Sequence, residues 1–96
     1  MTVQEKMEYW LDIAEYDLET AKSMFKSRRY LYTVFMCQQA LEKIIKAHYI
    51  LEKGKEAPGS HNLSYLAGLT ALNLDESQLS FFDRLTAFYI QGRYPT

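Results

Sequence analysis

Two arginines and two tyrosines gather near the C-terminal end of this chain. Arg84, Tyr89, Arg93 and Tyr94 fall within eleven residues. A guanidinium group pairs with a phosphate through two parallel hydrogen bonds, and a tyrosine ring offers a face on which a base stacks. The cluster therefore predicts a site for a nucleotide or an RNA strand. A competing interpretation is a tyrosine-rich dimer interface in which an arginine binds the carbonyls at a helix end.

Other reactive side chains favour structural roles. His48 and Cys37 share the apolar register of one helix, so we expect a packed histidine and a small buried thiol rather than a ligand or a nucleophile. No Cys-x-x-Cys, His-x-x-x-His or Glu-x-x-His spacing occurs, and the glycines form no phosphate-binding pattern, so no metal site and no cofactor are predicted.

The remaining charges are interpreted as surface features. An acidic row on the first helix predicts a solvated face: Glu8, Asp12, Glu15 and Glu19. Arg28 and Arg29 stand at the junction of the first two helices, and Lys43 and Lys46 are expected on the polar side of the second helix as ordinary surface charges.

The elements that position these residues are all helical. Thr2 to Glu5 is a capping box, and apolar residues then follow at helical spacing: Met7, Leu11, Ala14, Leu18, Ala21 and Phe25. A second long helix is predicted from Tyr30, with a stripe of Val34, Cys37, Leu41, Ile44, His48 and Leu51. After a loop over 52–59, Ser60 to Asn62 caps a short helix in which Leu63 and Leu66 are expected to face inward. A capping box at Asp75 to Gln78 begins the last helix, and Gly92 is expected to stop it.

These features predict a single all-α domain over residues 1–96: an up-and-down four-helix bundle with two long antiparallel N-terminal helices. The net charge of −1 gives no overall basic field, so neither DNA nor a membrane surface is an expected partner. No signal peptide or membrane span is recognisable, and a single cysteine favours the reducing cytoplasm. The second and the last helix are apolar over arcs too wide for one chain to cover, which predicts a homodimer with the last helix near its interface.

Several blocks together resemble the HEPN domain, a small helical domain associated with nucleotide binding. The resemblance lies in Tyr9-Trp-Leu-Asp-Ile-Ala-Glu-Tyr-Asp-Leu18, Tyr32-Thr-Val-Phe-Met-Cys-Gln-Gln-Ala-Leu-Glu-Lys43, His61-Asn-Leu63 and Arg93-Tyr-Pro95. It implies a homodimeric helical bundle. It also implies a partner protein, a minimal nucleotidyltransferase. Several such pairs act as toxin and antitoxin.

The active branch of this family implies an alternative function, a metal-independent endoribonuclease toxin using Arg84. The family motif places a histidine after that arginine, but here Tyr89, Ile90 and Gln91 follow, and His61 resembles a structural capping feature. Histidine titrates near neutral pH and tyrosine does not, so the binding module is the leading prediction over the enzyme. Family members also continue past Pro95 into a further helix, so we expect either a short version or a domain lacking its fifth helix.

Overall fold

The computed structural model of the protein describes residues 1–93, with side chains as far as Gln91, and every regular element in that range is a helix. This confirms the predicted all-helical bundle with two long N-terminal helices. No helix among the described residues is long and apolar enough to cross a membrane. The four helices are α1 (Val3–Lys26), α2 (Tyr30–Lys53), α3 (Leu63–Gly68) and α4 (Glu76–Arg93).

Side-chain caps explain where three of the helices begin. Thr2 Oγ1 accepts from the Glu5 amide at 3.1 Å, and the Glu5 carboxylate accepts from the Thr2 amide at 3.0 Å, so the predicted capping box is confirmed. Asn62 Oδ1 accepts from the amide of Tyr65 at 3.0 Å and starts α3. Each such cap stabilises a helix by about 1 kcal/mol because it satisfies an amide that lacks a helical partner.

The same reciprocal bonding begins α4. Asp75 Oδ1 accepts from the Gln78 amide at 2.7 Å, and Gln78 Oε1 accepts from the Asp75 amide at 3.0 Å. The second predicted capping box is therefore confirmed as well. At its other end α4 continues through Gly92 to Arg93, one residue past the glycine expected to stop it.

α1 and α2 form an antiparallel pair. Asp17 in the middle of α1 contacts Lys43 in the second half of α2, and Phe25 contacts Tyr30 across the turn that joins them. Ala14 and Ala21 are buried on α1, which allows the close approach that their small size predicts. Among the helices described, α1 packs against α2 alone.

The core lies on the other face of α2, where α3 and α4 pack. One cluster of buried apolar side chains contains Ile45, Leu63, Leu66, Ala67 and Leu85. The inward positions predicted for α3, Leu63 and Leu66, are fully buried. Each large side chain of this kind contributes about 1.5–3 kcal/mol through its removal from water.

Part of the predicted apolar stripes lies outside this core. Leu11, Leu18 and Phe25 of α1, and Leu51 of α2, are exposed. The physical reason is that α1 has only one helical neighbour, so the flanks of its stripe remain open beside α2. The homodimer that was predicted to cover such faces stays a prediction.

Candidate functional site

A band of polar side chains runs along the inner side of α2 and links it to α1, to α4 and to the start of α3. We call it the polar network. Its members are Asp17, Gln39, Glu42, Lys43, Lys46, His61 and Tyr89.

One half of the polar network joins α1 to α4 across α2. Lys43 Nζ forms an ion pair with the Asp17 carboxylate and donates to Gln39 Oε1 at 3.3 Å. Gln39 Nε2 then donates to the Tyr89 hydroxyl at 2.8 Å. Both charged side chains are largely buried, where little water can solvate them, so each charge is compensated by the other. This half therefore fixes the relative positions of three helices.

The other half centres on the buried carboxylate of Glu42. Its Oε1 lies 2.8 Å from His61 Nδ1, and its Oε2 accepts from Lys46 Nζ at 3.2 Å. Lys46 Nζ also lies 5.8 Å from the centroid of the Trp10 ring, within cation–π range. The His61 side chain is 44% exposed. A carboxylate that orients a solvent-accessible imidazole is an arrangement suited to proton transfer.

Tyr89, predicted as a stacking surface, lies inside the chain. Only 6% of it is exposed. Its ring meets Phe35 at 5.5 Å in an edge-to-face contact, and its centroid lies 5.6 Å from that of His61. A base can stack on Tyr89 only if one of these neighbours moves, so its described contacts are those of a network residue. Its role in nucleotide or RNA binding remains a prediction.

Arg84 has a different environment on the same helix. It precedes Tyr89 by five residues, which at 3.6 residues per turn places the two side chains about 140° apart around α4. Arg84 is exposed, and it forms no ion pair or hydrogen bond with any side chain that the structure describes. Phe81 and Phe88, three residues before it and four after it, share its face and are about half exposed. The structure therefore separates Arg84 from Tyr89.

The other two predicted site residues fall at the end of the described range. Arg93 is the last residue of α4. The side chain of Arg93 and the whole of Tyr94 lie outside the described residues, so their predicted roles in binding remain predictions.

Sequence reasoning misjudged the charges of α2. Lys43 and Lys46 were expected to be ordinary surface charges, but both are largely buried and paired with carboxylates. A polar residue at an apolar-facing position is hard to distinguish from a solvated one without the partner helix in view. A signal was available for Lys43. Asp17, Glu42 and Lys43 are polar residues within the first two blocks that carry the family resemblance.

Gln38 is a further polar residue that the sequence analysis missed. Its side chain is completely buried, and Nε2 donates to the backbone carbonyl of His61 at 2.7 Å. This bond ties the segment before α3 to α2, while Oε1 has no hydrogen-bond partner among the described residues. Gln38 thus helps to hold the backbone from which His61 projects.

The residues set aside on sequence grounds lie at partly or fully exposed positions, and Cys37 is partly buried rather than the buried thiol that was expected. His48 Nε2 lies 3.5 Å from Glu52 Oε2 one turn along α2, and burial raises the pKa of the Cys37 thiol. The acidic row of α1 is exposed as expected: Glu8, Asp12, Glu15 and Glu19. Over residues 1–93, no group of three His, Cys, Asp or Glu side chains is placed to hold a metal ion.

The fold and its inner network define a small helical domain in which α2 carries most of the inter-helix contacts. Comparison with protein families then identifies which domain it is: the sequence model of the HEPN domain matches residues 7–96. The chain therefore belongs to the HEPN domain family, and this membership supports a nucleotide- or RNA-related module. Neither the curated proteins nor the solved structures give a match to this chain.

Proposed function

We propose that this chain is a dimeric nucleotide- or RNA-binding module that works with a minimal nucleotidyltransferase, in a pair of the toxin and antitoxin kind. The observation that carries the proposal is the outer face of α4, where Arg84, which has no partner among the described side chains, stands between two exposed phenylalanines. An arginine without an internal partner is available to a phosphate. The aromatic rings before and after Arg84 are exposed, and such an apolar patch is typical of a surface that another protein covers.

A second copy of the chain is the partner that this face favours. A twofold axis brings the same patch of two chains together, so Phe81 and Phe88 of each copy would cover those of the other. The two Arg84 side chains would then lie near each other on the surface of the dimer. A phosphate bound there would meet two guanidinium groups rather than one.

Sedimentation velocity tests the dimer. We expect wild-type protein to sediment as a dimer at micromolar concentration and Phe88→Glu to sediment as a monomer, because a carboxylate on the covered face is desolvated without a partner. The matched control is Tyr16→Glu, which places the same charge at an exposed aromatic position on α1. A wild-type monomer would contradict the dimer.

Titration with labelled nucleotides and a short RNA tests the ligand. Arg84→Ala is expected to remain dimeric and to bind at least about tenfold more weakly, since a hydrogen bond to a charged group is worth roughly 1.5–3 kcal/mol. Equal binding by wild type and Arg84→Ala would remove the role of Arg84.

Purification from the native host tests the partner: we expect a small nucleotidyltransferase to co-purify, and a chain recovered alone counts against the pairing.

The alternative, a metal-independent endoribonuclease, is favoured by one observation: Glu42 orients the accessible imidazole of His61. Arg84 would stabilise the phosphate charge in the transition state. Within one chain His61 and Arg84 lie on different sides of α4, so such a site needs the Arg84 of a second copy. Expression without a partner should then arrest growth and cleave RNA, and both Arg84→Ala and His61→Gln should abolish cleavage. Healthy cells with abundant soluble wild-type protein would exclude this activity.

The cytoplasm is the compartment we propose. The single cysteine supports a reducing environment.

A further inference from the structure

The turn between α1 and α2 has a charge balance opposite to that of the rest of the chain. We call residues 22–32 the basic elbow. Its four cations are Lys22, Lys26, Arg28 and Arg29, and no acidic residue occurs from position 20 to position 41. The remainder of the chain holds seven cations and all twelve acids. A nearly neutral protein therefore carries a concentrated positive patch at one end of its longest helices.

Three of these four cations are available to a ligand. Lys22 pairs with Glu19 at 3.2 Å, one turn earlier on α1. Lys26, Arg28 and Arg29 are exposed, and they form no ion pair with any side chain described in the structure. A guanidinium or ammonium group without an acidic neighbour keeps its full attraction for a phosphate.

Arg28 occupies a backbone conformation that arginine seldom adopts. Its φ is 61°, and it is the one described residue other than glycine with positive φ. The left-handed region is unfavourable for a residue that carries a side chain, and glycine or asparagine would adopt it more readily. The turn therefore keeps an arginine at a position where folding alone favours a smaller residue.

Exposed aromatic rings lie among these cations. Phe25, Tyr30 and Tyr32 are 61%, 56% and 55% exposed. Phe25 and Tyr30 meet edge to face at 5.7 Å, so the two rings do not stack face on face with each other. Bases of single-stranded nucleic acid stack on exposed aromatic rings with little dependence on sequence.

A groove beside the elbow has the size and lining for one base. It encloses about 320 Å³ and is lined by Thr20, Met24, Arg29, Tyr32 and Met36. This volume is at the small end of ligand sites, which are roughly 300–1,000 Å³. Thioethers and a tyrosine ring suit a flat aromatic group, and Arg29 at the edge is placed for its phosphate.

We infer that the basic elbow binds single-stranded RNA, with phosphates on Lys26, Arg28 and Arg29 and with bases on Tyr30, Tyr32 and the adjoining groove. The inference rests on the proposed function in taking RNA as the ligand, but it assigns a surface separate from Arg84. A duplex offers phosphates without open base faces, so the exposed aromatic rings favour a single strand.

Fluorescence anisotropy with a labelled RNA of about 12 nucleotides tests the inference, since single-strand sites span roughly 4–16 nucleotides. The double variant Arg28→Asn, Arg29→Gln removes two charges, and asparagine suits the left-handed position, so folding should be preserved. We expect its affinity to fall by at least about tenfold. Tyr32→Ala is expected to lose about tenfold through stacking. The control Lys53→Gln, Lys55→Gln removes two exposed cations at and just beyond the opposite end of α2 and should bind like wild type.

Equal affinity of wild type and the elbow variants for the single strand would overturn the inference. So would equal affinity for a duplex of the same sequence, or binding to phosphatidylserine vesicles without binding to RNA. Each of these results removes the single-stranded RNA site at the elbow.

Photo-crosslinking with 4-thiouridine in the RNA separates this failure from that of the proposed function. Crosslinks to peptides covering residues 20–36 support the elbow. Crosslinks confined to α4, with affinity that depends on Arg84 alone, overturn the elbow and leave the proposed function standing. Wild-type protein that binds neither RNA nor nucleotide overturns both.

Discussion

The cations of the polar network on α2 and the arginines of the basic elbow, in the turn before α2, have opposite surroundings. Lys43 and Lys46 are largely buried, and each pairs with a buried carboxylate. Arg28 and Arg29 are exposed and have no acidic partner among the described side chains. Charge in the network is already neutralised and holds helices together, whereas charge at the elbow is available to a ligand.

The difference follows from where the acids stand in the sequence. Glu42 precedes Lys46 by one helical turn, and Asp17 reaches Lys43 from the facing helix. No acid occurs between positions 20 and 41, so the elbow has none within its own segment. The following predictions test the contrast between a structural and a binding role, from the largest expected effect to the smallest.

Removal of a network cation should destabilise the fold most. Lys43→Met leaves the buried Asp17 carboxylate without its partner, and we expect the free energy of unfolding to fall by about 3–5 kcal/mol in urea titration. The control Lys22→Met removes an exposed pair and should cost less than about 1 kcal/mol. If Lys43→Met does not fold, Asp17→Leu combined with Lys43→Met should restore folding. Similar small losses in both single variants would contradict a structural role for the network.

Two threonine hydroxyls give a matched pair, one buried between α4 and the start of α3 and one next to the basic elbow. Thr86 Oγ1 accepts from the buried amide of Leu63 at 3.2 Å, so Thr86→Val should destabilise the protein by about 1–2 kcal/mol. Thr33, one residue past the basic elbow, donates its hydroxyl to the Arg29 carbonyl at the start of its own helix at 3.0 Å. Thr33→Val is expected to change stability by less than about 0.5 kcal/mol. Thermal denaturation of the two variants measures the difference in stability loss. Equal losses would contradict the claim that the buried hydroxyl is structural and the other is not.

The left-handed residue of the elbow should show a conflict between stability and binding. We expect Arg28→Gly to raise the free energy of unfolding by up to about 1 kcal/mol and to weaken RNA binding. Gly54 ends α2 with φ of 71°, and Gly54→Ala should lower stability by about 1 kcal/mol through the same backbone effect. Chemical denaturation and anisotropy on the same preparations test both. An Arg28→Gly protein that binds RNA like wild type would remove Arg28 from the site.

The smallest effect concerns Cys37, which lines a groove with Lys22 and Lys26 on a flank of the α1 and α2 pair. Burial raises the pKa of its thiol, so burial outweighs the nearby cations. A pKa raised in the folded state favours the neutral thiol, so its contribution to stability is complete below the unfolded pKa and is lost as pH rises through the folded one. Alkylation at pH 8 should be slower than for a free cysteine. A faster reaction would show that the cations dominate.

The helices could be predicted from sequence because their signals are local. The capping boxes at Thr2 and Asp75 and the apolar spacing of α3 depend on residues three or four apart, and all are confirmed. The prediction for Lys43 was wrong because its environment depends on Asp17, which is distant in sequence and close only after the helices pair. Burial of a polar residue is a tertiary property, so neighbouring residues do not reveal it.

The candidate site was predictable only in part, for the same reason. The sequence grouped Arg84 with Tyr89 by proximity, but their spacing of five residues puts them on different sides of α4, and Tyr89 packs inward against Phe35. Arg28 and Arg29 were interpreted as ordinary surface charges. Their lack of partners and the groove beside Arg29 emerge only from the arrangement of α1 beside α2.

The salt dependence of RNA binding tests most directly the claim that elbow charges serve a ligand. Each phosphate contact to a single strand adds about 0.7 to the slope of log affinity against log salt. Over about 50 to 200 mM salt, we expect the Arg28→Asn, Arg29→Gln protein to show a slope smaller than wild type by about 1.4, and the Lys53→Gln, Lys55→Gln control to show no change. Identical slopes for wild type and the elbow variant would contradict the account.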